Sequence, residues 1–262
     1  MIDVTYINHM GSDLTVVNAA RVSFGKKQES FDAEKDSRLI RYLARYRHTS
    51  PFGHCFASFH VRAPVFVARQ LVKHKFLRWN EISRRYVDDE PEFYMPDVWR
   101  GRSADKKQGS EGVVDLKQIG DYLEYGDGAW SYDYLKENAP PSSPMRSFEY
   151  NLDGHLDTLV GYYKSMIHYG VAPEQARMVL PQSMMTEWYW SGTVFAFAKM
   201  CGLRMQQDTQ QETREVAMQV DEYMEKLYPE SWKALMKDSW RTCVSCGNPS
   251  KGDFCGFCLE EE

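Results

Sequence analysis

Hydrophobic residues recur along this chain at two periods, and the switches between them mark out its elements. From Asp32 to Arg47, Leu39, Ile40, Leu43 and Tyr46 fall three and four apart, which predicts a helix with a basic outer face. From Cys55 to Arg62 the pattern becomes alternation: Cys55, Ala57, Phe59 and Val61 to one side, Phe56, Ser58, His60 and Arg62 to the other. That is the signature of a half-buried strand. Between them Ser50-Pro-Phe-Gly-His54 is a turn, because proline and glycine interrupt both periods. Pro64 suits the first turn of a helix running to about Lys75, with Val65, Ala68, Val72 and Leu71 inward and Gln70, Lys73 and His74 sharing another face.

The flanking regions read more briefly. Ile2 to Tyr6 fits a short strand, and Asn18 to Phe24 leads into a polar loop. Residues 100–130 are rich in glycine, serine and charge and predict a mobile surface excursion. Leu156, Leu159, Val160, Tyr163 and Ile167 mark an amphipathic helix that Gly170 can end. Pro173 opens a helix that carries Arg177 and closes at Pro181; Thr193 to Cys201 is a buried helix with Arg204 just beyond. Val216, Val220, Met224 and Leu227 give one more long helix, and no internal repeat is present.

Composition bounds the class. The 262 residues, 43% of them hydrophobic, suffice for one core with a small appendage. The net charge of −5 argues against general affinity for nucleic acid or an anionic membrane, so any anion site must come from local clustering. The N-terminus lacks a basic start followed by an apolar run, and no segment approaches the ~18 apolar residues of a membrane span. A soluble, cytoplasmic protein is expected.

Local clustering is present. In Lys73 to Tyr86, KHKFLRWNEISRRY, Lys73, Lys75, Arg78, Arg84, Arg85 and His74 surround one carboxylate, Glu81. With Gln70 and Ser83 the segment offers point charges, planar guanidinium forks and neutral donors, which suits a phosphate joined to a heterocycle. Glu81 is an acceptor among these donors, able to orient them or to bind a ribose hydroxyl. A second reading is a solvated basic helix end paired with Asp88, Asp89 and Glu90.

Arg69-Gln-Leu-Val-Lys-His-Lys75 followed by Asn80-Glu-Ile-Ser-Arg-Arg-Tyr86 resembles the signature of the flavin-dependent thymidylate synthases, the ThyX family. Ala20-Arg-Val-Ser-Phe24, His48 with Ser50-Pro-Phe52 and His54, Phe59-His60, Ala63-Pro64, Ala176-Arg177 with Val179-Leu-Pro181, and Leu203-Arg204 look like family blocks in family order. The resemblance covers residues 1 to about 235. It implies an α/β subunit, a central sheet flanked by helices, assembled as a homotetramer that binds FAD and dUMP where subunits meet. The implied reaction methylates dUMP to dTMP, with methylenetetrahydrofolate as carbon donor and NADPH as reductant.

Carried over by position, Gln70, Lys73, Ser83, Arg84, Arg85, Arg177 and Arg204 match nucleotide-binding places. Glu81 falls between nucleotide and flavin, Ser50, Lys73, His74 and Lys75 match flavin-binding places, and His48 lies close by as a catalytic candidate. Chemistry limits the roles independently. Uracil C5 is a poor nucleophile, so methylation needs either a protein nucleophile at C6 or an electron-rich ring made by withdrawing the N3 proton. Cys55 and Cys201 sit in apolar surroundings where a thiol is inert, and Ser83 lacks an adjacent base. The second route suits Arg204, whose guanidinium would stabilise the anionic ring; the resemblance assigns it that role.

Several positions depart from the family pattern. Lys73 and Lys75 stand where arginines are usual, keeping charge but losing bidentate recognition. Thr193, Phe195 and Lys199 occupy places where Asn, Arg and Asn contacts to FAD are expected, and Gly53 replaces a frequent glutamate. A changed pocket leaves open a hydroxymethylated product or dCMP as substrate.

The end of the chain is a separate signal. Cys243, Cys246, Cys255 and Cys258 form CxxC-x8-CxxC, a spacing at which each pair wraps one side of a tetrahedral ion. A structural zinc appendage over residues 239–262, beyond a catalytic domain of residues 1–238, is expected; a redox dithiol pair lacks its usual βαβ setting. The terminal Leu259-Glu-Glu-Glu262 disfavours phosphate, so the tail reads as a stabilising or partner-docking module rather than a nucleic-acid reader. A zinc-dependent nucleic-acid-binding module without catalysis is the reading from a different class. His9, His155 and His168 show no ligand pattern; His54 and His60 read as neighbours on one strand face with no acidic partner; and Trp188-Tyr-Trp190 reads as core or interface.

Overall fold

The computed structural model describes residues 2–87, 89–103, 109–114 and 148–239. In chain order the elements are β1 (Asp3–Met10), α1 (Asp13–Arg21), α2 (Ala33–Arg45), β2 (Phe56–Pro64), α3 (Val65–Leu71), β3 (Leu77–Glu81), β4 (Arg100–Arg102) and β5 (Ser110–Val113). Then come α4 (Phe148–His168), α5 (Pro173–Ala176), β6 (Met185–Thr193), α6 (Val194–Arg204), α7 (Gln211–Leu227) and α8 (Pro229–Ser239). The described residues form two compact units: one from the stretches up to Ile82 and from Thr186 onward, the other between Ser83 and Met185.

The first unit is built on a four-stranded sheet in the order β1-β2-β6-β3. The predicted inward row of β2 holds, with Cys55, Ala57, Phe59 and Val61 all buried. Strands β3 and β6 pair antiparallel from Leu77 opposite Gly192 to Glu81 opposite Trp188. Neither strand follows from the sequence reading, but its assignment of Trp188 and Trp190 to the core is right. Trp79 stacks on Trp188 at 4.3 Å between ring centroids, and Trp190 meets Trp79 and Phe197 edge-on. Gly192 sits where the strands approach closely: a β-carbon there would press on the Leu77 side chain and lie 3.2 Å from the Phe76 carbonyl.

The helices start and stop for local reasons. Asp32 caps α2 by accepting from the Glu34 and Lys35 amides at 3.1 and 3.0 Å. Ile40 and Leu43 are buried as expected, while Tyr46 lies past the last turn and is exposed. Helix α3 is shorter than the sequence suggests. Pro64 is its extended N-cap and Leu71 its last residue, so the buried stripe is Val67, Ala68 and Leu71, and Val72 is exposed. Lys73 and His74 therefore sit in the turn after the helix, not on its face, with the His74 amide bonded to the Leu71 carbonyl. Phe76, at φ 68°, reverses the chain into β3.

Helices α1 and α8 do not follow from the sequence reading either. In α1 the Thr15 hydroxyl accepts from the Ser12 amide. The buried Asp13 carboxylate crosses to α8, where it accepts the Glu230 and Ser231 amides at 2.9 Å each. It thus satisfies two of the donors that this helix N-terminus leaves open, Pro229 having no N–H to offer. Tyr228 joins the same corner, its hydroxyl lying 3.0 and 2.9 Å from the Met10 and Phe56 carbonyls.

In the second unit, Leu156, Val160 and Tyr163 form the buried stripe of α4. Gly170, at φ 82°, ends it with Val171 N–H bonded to the Met166 carbonyl. Arg177 follows α5 in a 3-10 turn over Arg177–Val179, rather than in one helix reaching Pro181. β4 and β5 pair antiparallel inside the expected surface excursion. The rest of that excursion and the cysteine tail from residue 240 lie outside the described residues.

Replacing Asp13 by alanine strands two helix-start amides, at an expected cost of about 1–3 kcal/mol. Urea unfolding should show a lower midpoint for Asp13→Ala and a smaller drop for Asp13→Asn, which keeps one acceptor oxygen. An unchanged midpoint would contradict this capping role.

Candidate active site

Arg204 ends α6, a helix capped by the Thr193 hydroxyl and buried through Val194, Ala196 to Ala198 and Met200 to Gly202. That burial fixes where the guanidinium emerges. Arg204 Nε donates to His74 Nε2 at 2.9 Å, and Arg204 Nη2 donates to the Gln70 carbonyl at 3.1 Å. The Gln70 side-chain amide in turn donates to Gln210 Oε1, joining the end of α3 to the residue before α7. Nη1 has no partner among the described residues, and no carboxylate there pairs with Arg204.

The electrostatics follow from these contacts. Burial, then the Arg204 charge and the Lys199 charge, push the His74 pKa down to about 4. The ring is therefore neutral at pH 7, and since Nε2 accepts, Nδ1 carries the proton. Burial also lowers the pKa of Arg204, but a guanidinium stays charged in proteins. Lys199 is exposed, its ammonium 5.8 Å from the centre of the Phe195 ring.

Glu81 forms the other fixed group of this unit. Its Oε1 accepts from Thr186 Oγ1 at 2.7 Å and its Oε2 from Trp79 Nε1 at 3.0 Å. The side chain is exposed yet held at both oxygens, and the Ile82 amide continues the β3–β6 pairing onto the Glu187 carbonyl. Lys73 and Lys75 are exposed and form no ion pair among the described residues. His48 lies past α2, its ring facing Tyr42 at 5.9 Å, and Ser50 opens the 3-10 turn Ser50–His54; neither bonds Arg204.

The second unit holds the remaining predicted residues. Arg85 Nε is 3.4 Å from Glu174 Oε2, and Arg177 Nε donates to the Glu174 carbonyl at 3.3 Å. One residue that the sequence reading missed thus gathers two predicted arginines. Arg84 Nη1 bonds the Asp89 backbone carbonyl, and the Ser83 hydroxyl accepts the Arg85 amide. Among the described residues Arg84 takes the Asp89 carbonyl and Glu90 pairs with Lys164, while Asp88 lies outside them.

Contrary to expectation, His60 does have an acidic partner, Glu187, at 3.4 Å, and His54 lies in the 3-10 turn rather than on β2. The partner sits on β6, a strand the sequence reading does not contain. Cys55 and Cys201 are buried as expected; burial raises Cys55 to about 11 and Cys201 well above its ordinary value. Neither supplies a thiolate at neutral pH. No group of three metal-binding side chains occurs among the described residues, and the four tail cysteines lie outside them.

Fold and site define an α/β protein with a rigidly held, unneutralised guanidinium and an anchored carboxylate. Comparison with known proteins agrees. The family model for "Thymidylate synthase complementing protein" matches residues 5–230. The chain is 35% identical over 232 residues to a flavin-dependent thymidylate synthase of Thermus thermophilus, covering 88% of this chain and 74% of that one. It is 32% identical over 235 residues to that of Thermosipho melanesiensis, covering 90% of each. Among solved structures it resembles the UMP/dUMP methylase PolB from Streptomyces cacaoi bound with 5-Br dUMP. There the TM-score is 0.72 and the identity 29%, over 90% of this chain and 95% of that one. The chain belongs to the flavin-dependent thymidylate synthase family, and is thus an enzyme of the methyltransferase class. No helix among the described residues is long and apolar enough to cross a membrane.

The depressed His74 pKa makes stability pH-dependent. Between about 4 and the ordinary 6.5, the unfolded chain binds a proton that folded His74 refuses, so stability rises with pH across that window. His74→Gln should lose that part of the slope in urea unfolding measured from about pH 4 to 7. A wild-type slope in the variant would contradict the shift.

Proposed function

We propose that this enzyme converts dUMP to dTMP, taking a methylene group from methylenetetrahydrofolate and reducing equivalents from NADPH by way of FAD. The observation that carries the reading is Arg204, charged, half-buried and fixed by two neutral acceptors, with Nη1 left open among the described residues. A methylene carbon joins C5 only if the ring is electron-rich, as it is once N3 has given up its proton to solvent, and a fixed positive charge beside N3 and its neighbouring oxygens would stabilise that anion. The described thiols provide no competing nucleophile.

The residues present fit a flavin in chemistry. Lys73 and Lys75 offer charge to a diphosphate, the Ser50 hydroxyl and His74 Nδ1–H offer neutral donors, and Glu81 stands as an oriented acceptor. Bound there, FAD would relay hydride between NADPH and the carbon on the nucleotide. On the nucleotide side, Ser83, Arg84, Arg85 and Arg177 serve the phosphate, while Gln70, Lys73 and Glu81 complete the set. In this reading Glu174 holds Arg85 and Arg177 ready, and His48 is a polar group beside the flavin. PolB, described as a UMP/dUMP methylase, supports a uridine nucleotide over a cytidine one.

The proposal includes a homotetramer and a zinc ion held by Cys243, Cys246, Cys255 and Cys258, which would close a four-thiolate structural site. Metal analysis of purified protein should find about one zinc per chain, lost in a Cys243→Ser, Cys246→Ser variant; a metal-free chain that keeps its fold would refute the zinc site.

The test of function is the mass of the nucleotide product after incubation with FAD, NADPH, methylenetetrahydrofolate and, separately, dUMP, UMP or dCMP. A methyl gain on dUMP is expected. A hydroxymethyl gain, or reaction only with dCMP, would replace the proposed reaction, and no product in any tube would overturn it.

A further inference from the structure

We propose that His74 is a positioning residue for Arg204, a neutral acceptor that fixes the plane of the guanidinium without cancelling its charge. The inference rests on the reading of Arg204 given above and adds a role for His74 that is separate from flavin binding. A guanidinium has a side edge, Nε–H with one Nη–H, and an end fork formed by its two terminal nitrogens. In this protein the side edge is fully used: Nε donates to His74 Nε2 and Nη2 to the Gln70 carbonyl. What remains is the end fork, Nη1 and the second Nη2 hydrogen. Such a fork matches two adjacent acceptors in one plane, as a uracil oxygen and its deprotonated N3 would present.

The choice of partner matters. Structures commonly orient arginine with a carboxylate, which supplies the same fork geometry but neutralises the cation. Here both orienting groups are uncharged acceptors, an imidazole nitrogen and a peptide carbonyl. The charge is therefore held in place and still available to a substrate anion.

Imidazole can do this only while neutral, since protonation would remove the lone pair and set two cations side by side. The groups that act on the ring favour the neutral form. Arg204 and Lys199, both on α6, are the charges that bear on it; Gln70 and Gln210, from the end of α3 and the start of α7, are neutral. Because Nε2 is committed to Arg204, the ring nitrogen left for any other ligand is a donor, Nδ1–H.

The test uses the full-length protein. Nitrogen-15 NMR of histidine-labelled, ligand-free enzyme should show His74 as the Nδ1–H tautomer with no titration near the ordinary histidine pKa of about 6.5, and Arg204→Gln should bring its titration upward. A His74 that is mainly the Nε2–H tautomer, or that titrates normally, would overturn the proposal whether or not dUMP is the substrate.

The second arm measures dUMP turnover at saturating FAD for His74→Ala, His74→Asn and His74→Gln. Glutamine can place an amide oxygen near the Nε2 position, whereas asparagine reaches only as far as Nδ1. Loss of one charge-orienting contact should lower kcat for alanine and asparagine by about 100-fold, with little change in KM for dUMP. Glutamine should recover at least about tenfold of that loss. Equal defects in all three variants, or defects present at limiting FAD but absent at saturation, would show that His74 serves the flavin or the fold instead. Wild-type enzyme inactive on dUMP would refute the functional reading alone, leaving the tautomer result to decide the contact.

Discussion

The pairing of β3 with β6 is the constraint on which the rest of the site depends. Its register sets Glu81 opposite Trp188 at one end and Leu77 opposite Gly192 at the other. At the first end, Trp79 and Thr186 take hold of the two carboxylate oxygens. At the second, β6 runs through Thr193 directly into α6, which delivers Arg204, while the turn before Leu77 carries His74. A slip of one residue would reverse the faces of Trp79 and Glu81 and detach both. Gly192 permits the close approach, and the stacked tryptophans bury the faces that make the register worth keeping.

The second organising idea is a positive charge without a counterion. Some other cations do meet carboxylates, as Arg21 meets the buried Asp36 at 2.7 Å and Lys164 meets Glu90. Among the described residues Arg204 meets only an imidazole and a carbonyl. Withdrawing a charge from water is unfavourable, and the structure offsets that with two hydrogen bonds while leaving part of the group reachable. An anionic partner would complete the arrangement. Burial also keeps the two described thiols protonated, which accords with the proposed charge stabilisation rather than with attack by either of them.

Much of this is legible in the residues, but unevenly. Period-two burial in β2, the turn between α2 and β2 and the glycine stop after α4 are local, and their signals survive folding. β3 is hidden because Leu77-Arg-Trp-Asn-Glu81 reads as part of a basic motif and lies at the sheet edge, where one side is not covered by another strand. β6 shows in the sequence only as an aromatic cluster, though alternate burial of Trp188, Trp190 and Gly192 around exposed Tyr189 leaves a clue. The residues of the motif can be identified from the chain, yet their linkages cannot. His74 and Arg204 are 130 positions apart, and Glu174 lies far along the chain from Arg85, so no spacing rule could join them.

The most direct measurement of the central claim is release of the C5 hydrogen of dUMP, followed with tritium at that carbon, in wild-type enzyme and Arg204→Gln. If Arg204 supplies the charge that makes C5 reactive, release requires methylenetetrahydrofolate and falls by about 100- to 1000-fold in the variant, while dUMP binding weakens far less. Release at a near wild-type rate from Arg204→Gln would show that the ring is activated by some other group, and the account of this site would be wrong.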